Sequence, residues 1–356
     1  MSESNYSPRY KAQNLQELAA NLFNCCGLSK ERSKIVANIF VEADLLGYTT
    51  HGLNRIPSNL EWLEKGETRA KGNPQVLMDG GAMLNWDANY LPGPYVVSVA
   101  VDEACKRAKQ FGLAMITIRR SQHIACLAAY LVKAVERGLC LQIVASTPEE
   151  RSVSPYGGCE PVFSPNPFAF GAPTKGDPIL IDFSLSIVAE GYVHRARAEK
   201  TRMSSACLKD HAGNVTDDPN DYWNQPRGSI MPIGGLDHGH KGYALCLWSE
   251  LLTMALGNYG RADVHSETEA NSVFMLAIDP NALGSIESFE RQADFLANLC
   301  RKSGVKSGDP PVRIPGDRAL ALRRKQLKEG VELYPGILDR IQPWAAKFDI
   351  PLPARI

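Results

Sequence analysis

Two histidines and one arginine stand where proton transfer and anion binding meet. In Thr50-His51-Gly52-Leu53-Asn54-Arg55-Ile56-Pro57, the preceding Gly47 closes one helix, while Pro57 and the apolar positions Leu53, Ile56, Leu60 and Leu63 open another. His51 and Arg55 are four residues apart at that helix start, so both can face one side. An imidazole with an ordinary pKa of about 6.5 can hand a proton to a carbonyl oxygen, and a guanidinium can grip a carboxylate at two points. The pair suits a small 2-oxo acid; the same spacing also fits a helix-capping imidazole beside a surface cation. The second histidine lies in Arg119-Arg120-Ser121-Gln122-His123, between a strand and a helix whose apolar face is Ile124, Leu127, Leu131 and Val135. His123 at that crossing is an alternative acid/base group, a helper to His51, or a structural histidine bonded to backbone.

Two further segments have the composition of ligand-binding junctions. Gly234 to Gly242 reads as a glycine-rich loop opening a long helix, Tyr243 to Leu256, where backbone N–H groups and Lys241 could cradle a phosphate; a plain tight turn fits as well. Within it, His238 and His240 have no carboxylate or cysteine at a recognisable ligand spacing, and no metal is expected. Leu180-Ile181-Asp182-Phe183-Ser184-Leu185-Ser186 is an apolar strand ending in small polar groups, either a ligand site of the α/β kind or a buried strand with a capping serine. Ser164-Pro165-Asn166-Pro167 and Pro315-Gly316-Asp317 signal turns and nothing more.

The elements that must position these groups follow from periodicity. Helices are expected at Leu15 to Cys25, Lys30 to Leu46 and Arg55 to Lys65, with no strong strand signal among them. From Tyr95 the pattern alternates: a helix to Phe111, a strand Leu113 to Ile118, a helix His123 to Arg137, and a strand Cys140 to Ala145. Residues Thr147 to Pro178 read as a long functional loop, followed by a strand Ile179 to Phe183, a helix through Ala198, a polar stretch Ser204 to Arg227 and a strand Ser272 to Ile278. The tail from Phe289 is helical with a break at Pro310 to Pro315. The fold class this implies is α/β, a layered mixed sheet flanked by helices, divided as a helical segment 1–75, an α/β domain 76–285 and a helical segment 286–356 that packs with the first.

Composition narrows the partners. With 39 basic and 39 acidic residues the formal net charge is zero, which removes the driving force for nucleic acid or an anionic membrane surface. No apolar run reaches the ~18 residues of a membrane span, and Met1 to Lys11 lacks the apolar core of a signal peptide, so a cytoplasmic location is expected. Nine dispersed cysteines without a C-x-x-C pair are read as reduced. Among 29 glycines no two are separated by a single residue, so the G-x-G-x-x-G dinucleotide fingerprint is absent, as is a P-loop.

Several motifs in order nonetheless resemble one family. Thr50-His51-Gly52 with Arg55, Ser121-Gln122-His123, Pro155-Tyr156-Gly157-Gly158, Asn166-Pro167, Asp182-Phe183-Ser184 to Ser186, Thr216-Asp217-Asp218-Pro219, Pro232-Ile233-Gly234-Gly235, Lys241-Gly242-Tyr243 and Pro315-Gly316 are similar to those of the non-Rossmann malate/L-lactate dehydrogenase family, which includes sulfolactate, ureidoglycolate, 2,3-diketogulonate and cyclic imino-acid reductases. The likeness runs from about Leu15 to Leu333. It implies a homodimer that binds NAD or NADP without paired glycines and interconverts a 2-oxo acid and its 2-hydroxy acid, or alternatively reduces a cyclic imino acid. It implies His51 and His123 as acid/base candidates and Arg55 as the holder of the substrate carboxylate. Cofactor contacts implied by the resemblance are Thr147, Asp182, Phe183, Ser184, Ser186, Lys241, Gly242, Pro315, Gly316 and Asp317. The chain departs from the family at Asn59, Ile124-Ala125, Thr201 to Cys207 and Ser164-Pro165-Asn166-Pro167, so relatives say little about its substrate, and lost activity in a cofactor-binding homologue is a further alternative.

Overall fold

A computed structural model describes residues 8–264 and 268–356. After a short strand β1 (Arg9–Tyr10) come three helices, α1 (Ala12–Cys25), α2 (Lys30–Leu45) and α3 (Ile56–Glu64). Ser29 caps α2 by accepting the Arg32 N–H, and Pro57 occupies the first turn of α3, where its missing N–H costs nothing. A hairpin follows, β2 (Gln75–Asp79) and β3 (Met83–Asp87), then α4 (Gly93–Phe111), β4 (Leu113–Ser121), α5 (Ala128–Val135) and β5 (Cys140–Ser146). The middle of the chain forms β6 (Phe168–Ala172), β7 (Ile179–Phe183), α6 (Glu190–Ala198), β8 (Leu208–Lys209), β9 (Val215–Thr216), α7 (Pro219–Trp223) and β10 (Ser229–Ile230). The last part holds α8 (Gly235–Glu250), β11 (Asn271–Ile278), α9 (Ile286–Arg301), α10 (Asp317–Glu329), β12 (Val331–Glu332) and α11 (Ile337–Lys347).

Seven strands form the central sheet in the order β2-β3-β4-β11-β5-β6-β7, parallel between β3 and β4 and antiparallel elsewhere. This is the mixed sheet flanked by helices that the sequence pattern implies. The two faces alternate along β11 and β5 as strand geometry requires. Val273, Met275, Leu141 and Ile143 join the core built from α1, α2, α4 and α5. The other face meets α8, where the Ser146 hydroxyl lies 3.2 Å from Ser249 Oγ and accepts from Thr253 Oγ1 at 2.9 Å. A small three-stranded sheet, β10-β8-β9, has its own core of Val153, Phe163, Leu185, Val193, Leu208 and Tyr222. At the opposite extreme of the chain, β1 pairs with β12.

Several elements differ from the sequence expectation. The long loop 147–178 contains β6, whose Phe-Ala-Phe-Gly-Ala run is short and interrupted by glycine. The polar stretch 204–227 carries β8, β9 and α7, two-residue strands and a single turn that period counting cannot register. Helix α5 starts at Ala128, not at His123, because Ala125 adopts φ 60° and breaks helical geometry ahead of it. Gly235 to Gly242 is not a loop: α8 begins at Gly235, so these residues form the first two turns of a helix.

The turn between α2 and α3 is pinned by a buried carboxyl group. Asp44, near the end of α2, accepts the Leu53 N–H at 2.7 Å. Its carboxyl occupies the space a side chain at position 52 would need, since a Cβ on Gly52 would lie 2.3 Å from Asp44 Oδ2. Burial pushes Asp44 up to about 7, partly offset by the Leu53 N–H. A folded pKa raised above the unfolded value means this group's contribution is full below about pH 4 and is lost as pH rises to about 7. Asp44→Ala is therefore expected to cost about 1–3 kcal/mol in urea unfolding by orphaning the Leu53 N–H. Asp44→Asn, neutral at every pH, should be at least as stable as the parent at pH 8; equal losses in the two variants would show that the charge itself is required.

Candidate active site

The turn that Asp44 holds carries His51. Its N–H donates to the Tyr48 carbonyl at 2.9 Å, and the Thr50 hydroxyl lies 2.8 Å from Nδ1. Gly191 in α6 lets that helix approach Thr50, where a Cβ would lie 3.2 Å from Cγ2. One turn further, Arg55 closes a short 3-10 turn (Leu53–Arg55) that runs into α3.

His123 is delivered from the sheet. It follows β4 directly, and Gln122 folds back so that its Oε1 accepts the His123 N–H at 3.0 Å. The Ala125 N–H donates to His123 Nδ1 at 3.2 Å, which leaves the ring proton on Nε2 in the neutral form. Asn271 on β11 bridges two strand ends: its Oδ1 accepts the Ile124 N–H at 3.0 Å and its Nδ2 donates to Thr147 Oγ1 at 2.8 Å. The start of α4 closes over this loop through Gly93, where a Cβ would sit 2.1 Å from the Gln122 carbonyl oxygen. Only glycine admits that approach.

These two routes bring the imidazoles face to face. The rings are stacked with centroids 5.7 Å apart and planes 20° from parallel. Burial, followed by the Arg55 charge, pushes His51 down to about 3, and the same two causes with His51 added hold His123 well below the usual range. Both are neutral at physiological pH. Among the described residues Arg55 forms no ion pair, and its Nε is sealed from solvent without an acceptor. His51, Arg55 and His123 thus converge as one group.

Sequence reading missed the acidic side of this group. Burial works against the Arg55 charge and lowers its pKa, and Glu190, Glu150 and Glu269, none paired with it, partly offset that. Glu190 accepts from the Tyr222 hydroxyl at 2.5 Å and from Arg227 Nη2 at 3.0 Å, and Glu150 accepts from Ser152 Oγ at 3.0 Å. Burial, then the neighbouring Glu190 charge, raises Glu150 to about 8. One signal existed: Glu149-Glu150 follows Thr147 just beyond the end of a strand. Arg119 and Arg120, which shared a segment with His123, serve structure instead, converging on the buried Asp87 at 2.8 and 2.5 Å.

The remaining candidates are strung along β7 and its neighbours. Asp182 accepts the Ala128 N–H at 2.8 Å at the head of α5, and burial raises it to about 6. Phe183 is exposed and tilted against Phe168, ring centroids 5.6 Å apart. Ser184 and Ser186 hydrogen-bond each other, and Ile187 and Ile233 tie this segment to 231–233 at the entrance to α8. Gly242 packs on Ile233, whose carbonyl oxygen would be 2.3 Å from an added Cβ, while Lys241 is exposed in the second turn of α8. The glycine-loop cradle expected for Lys241 is replaced by a helix N-terminus, which opens on a cavity of about 200 Å³ lined by Tyr156, Gly157, Lys209, Met231, Pro232, Gly235 and Leu236. At the other end of β7, the Pro315 carbonyl accepts the Leu180 N–H at 3.0 Å, and Gly316 holds φ 103° against it. Asp317 bonds the Ile314 N–H and Arg301.

A profile of malate/L-lactate dehydrogenases matches residues 10–342. The chain belongs to that family. It is 31% identical over 343 residues to a malate/(S)-sulfolactate dehydrogenase of Methanothermus fervidus, spanning 95% of this chain and 97% of that one. It is 30% identical to a (2R)-3-sulfolactate dehydrogenase (NADP(+)) of Chromohalobacter salexigens, over 93% and 96% of the two chains. Among solved structures, delta1-piperideine-2-carboxylate reductase from Pseudomonas syringae superposes with a TM-score of 0.83 at 28% identity, covering 95% and 99%. The resemblance read from the motifs is thereby established, and with it an oxidoreductase of hydroxy and oxo acids.

Within the described residues of this dehydrogenase-family chain, no three His, Cys, Asp or Glu side chains group to hold a metal, and no helix is long and apolar enough to cross a membrane. A groove of about 430 Å³ along the end of α8 contains Leu247, Leu251 and Met254 and neither imidazole. The neutral histidines predict acid sensitivity. A histidine whose folded pKa is depressed adds stability above its unfolded value near 6.5 that is lost as pH falls toward about 3. His51→Gln should make the decline of melting temperature between pH 6.5 and pH 4 shallower than in the parent; parallel curves would place the acid-labile charge elsewhere.

Proposed function

We propose that the chain transfers hydride between a nicotinamide cofactor and C2 of a 2-oxo or 2-hydroxy acid. The observation that carries this reading is the stacked, neutral imidazole pair beside a guanidinium that is unpaired among the described residues. Arg55 binds the substrate carboxylate, which also relieves the charge that holds the imidazoles neutral. His123, with its proton on Nε2, and His51 lie where a carbonyl oxygen turned toward them receives a proton in reduction or loses one in oxidation. Packing of Gly93 and the Asn271 bridge keep this geometry fixed.

The donors present fit an anionic dinucleotide. Helix α8 offers unpaired first-turn N–H groups beside Lys209, and from Ile179 to Phe183 β7 runs about 13 Å, a length suited to an extended ligand. Ser184, Ser186, Phe183, Thr147, Asp182, Lys241, Gly242 and the Pro315–Asp317 turn are the residues we assign to it. NAD or NADP, when bound, supplies or accepts the hydride. The relative named for NADP(+) supports a nicotinamide cofactor without deciding between the two.

His51→Ala and His123→Ala are each expected to lower kcat by ~10²-fold or more where the residue transfers the proton. Arg55→Leu should chiefly raise KM for carboxylate substrates. Assays with NADH and NADPH against pyruvate, oxaloacetate and piperideine-2-carboxylate test the reaction itself. Turnover of the last alone would favour imine reduction, a reading supported by the structural neighbour named for that substrate. Wild-type rates in both histidine variants would sink the acid/base assignment.

Leu247 and Leu251, four residues apart on α8 and the turn after it, are exposed in one chain. Their continuity with the 430 Å³ groove supports a homodimer, in keeping with a cytoplasmic enzyme whose nine cysteines are free. Sedimentation should give twice the chain mass, and Leu251→Glu should shift it toward one; a monomeric parent would refute the assembly.

A further inference from the structure

The track assigned to the dinucleotide has two distinct ends. Asp182 accepts the N–H of Ala128, five residues beyond His123, so the C-terminal end of β7 stands with the imidazole loop. The nicotinamide belongs there. The adenosine then falls at the opposite end, where the Pro315 carbonyl accepts the Leu180 N–H and a Cβ on Gly316 would lie 2.9 Å from the Leu180 nitrogen. Asp317 closes a loop at this end: its Oδ1 accepts from Arg301 Nη2 at 2.8 Å and its Oδ2 accepts the Ile314 N–H at 2.9 Å. Residues 302–313 are thereby clasped at both roots, and every one of them is exposed.

An unmodified adenosine ribose is commonly held by a free carboxylate at its 2′-hydroxyl, whereas a 2′-phosphate calls for guanidinium groups. The carboxylates at this end are already engaged. Asp177 meets Arg324 Nη1 with both oxygens, at 2.7 and 2.9 Å, Asp294 accepts the Lys175 N–H at 3.3 Å, and Asp317 is spent on the loop. Cations are in surplus: from Arg301 to Arg324 the sequence has seven basic residues and two acidic ones, in a chain of zero net charge. Arg313 and Arg318 stand on either side of the Pro315–Asp317 turn, both exposed, and neither forms an ion pair among the described residues, unlike Arg301 and Arg324. We propose that Arg313 and Arg318 hold the 2′-phosphate of the cofactor, so that this chain uses NADP(H) in preference to NAD(H). The inference rests on the preceding assignment of the Pro315–Asp317 turn to the dinucleotide. A 2′-phosphate brings about two negative charges and three acceptor oxygens, which two planar guanidiniums meet in forked pairs.

Binding reads this preference without turnover. Isothermal titration should give NADPH a Kd ~10-fold or more below that of NADH, the scale of a charge-assisted forked contact. Of two fragments with equal charge, 2′,5′-ADP should bind ~10-fold more tightly than 3′,5′-ADP, since the position of the phosphate is what the arginines read. Arg313→Ala and Arg318→Ala should each weaken NADPH by ~5-fold or more and leave NADH within about twofold. Both side chains are exposed, so neither truncation opens a core, and the NADH value checks the fold. Equal constants for NADPH and NADH, or for the two fragments, overturn the 2′-phosphate assignment and leave the proposed hydride transfer standing. Undiminished NADPH selectivity in the double variant overturns the assignment to these two arginines. NADPH-selective binding without turnover of any 2-oxo acid upholds the assignment and overturns the reaction.

Discussion

A guanidinium that meets no partner among the described residues, set among packed side chains, is the constraint from which the rest of the site follows. Arg55 keeps its charge under almost any conditions, so its surroundings must adapt to it. The imidazoles of His51 and His123 respond by staying neutral, since a proton on either would add a second cation to a region already short of solvent. The acids respond in the opposite sense: Glu190, Glu150 and Glu269 gather near the guanidinium without touching it. Contact would neutralise Arg55 and leave nothing to attract a carboxylate. Under the proposed reading, that separation is what leaves Arg55 open to a substrate carboxylate.

Holding such a group together demands rigid supports, and each comes from a different part of the fold. Asp44 fixes the turn before Arg55, Gly93 admits the loop before His123 against the head of α4, and Asn271 fastens that loop to the end of β5. Asp182 anchors the first turn of α5. These interactions join residues far apart in the chain, and the sheet order sets them side by side. The strands that contribute, β4, β11 and β5, are adjacent in the middle of the sheet, where hydrogen bonding on both sides limits movement.

What the sequence revealed follows from the range over which each signal acts. The long helices and central strands were visible because apolar periodicity is local and strong over ten or more residues, and His51 with Arg55 was visible because helical spacing is also local. The stacking of His51 on His123 was not, since it depends on β4 lying next to the α2–α3 turn. Glu150 and Glu190 lie forty residues apart and differ from surface glutamates only in where the chain folds them. The helix at Gly235 escaped notice because three glycines in eight residues resemble a loop; in α8 they serve close packing, as the contact of Gly242 with Ile233 shows. Likewise, β6 hid inside a proline-rich stretch because its strand character comes from pairing with β5 and β7.

The segment at Pro315 has a further bearing on the molecule's life in solution. An outermost strand offers unsatisfied amides to any passing extended chain, and β7 would do so along the border that carries Asp182 and Phe183. By seating the Pro315 carbonyl on the Leu180 amide and turning away through Gly316, the C-terminal region blunts that border. Proline cannot donate in return, so the added contact stops after one bond and does not seed another ribbon. Fraying of the C-terminal helices would withdraw Pro315 and bare that border to other chains.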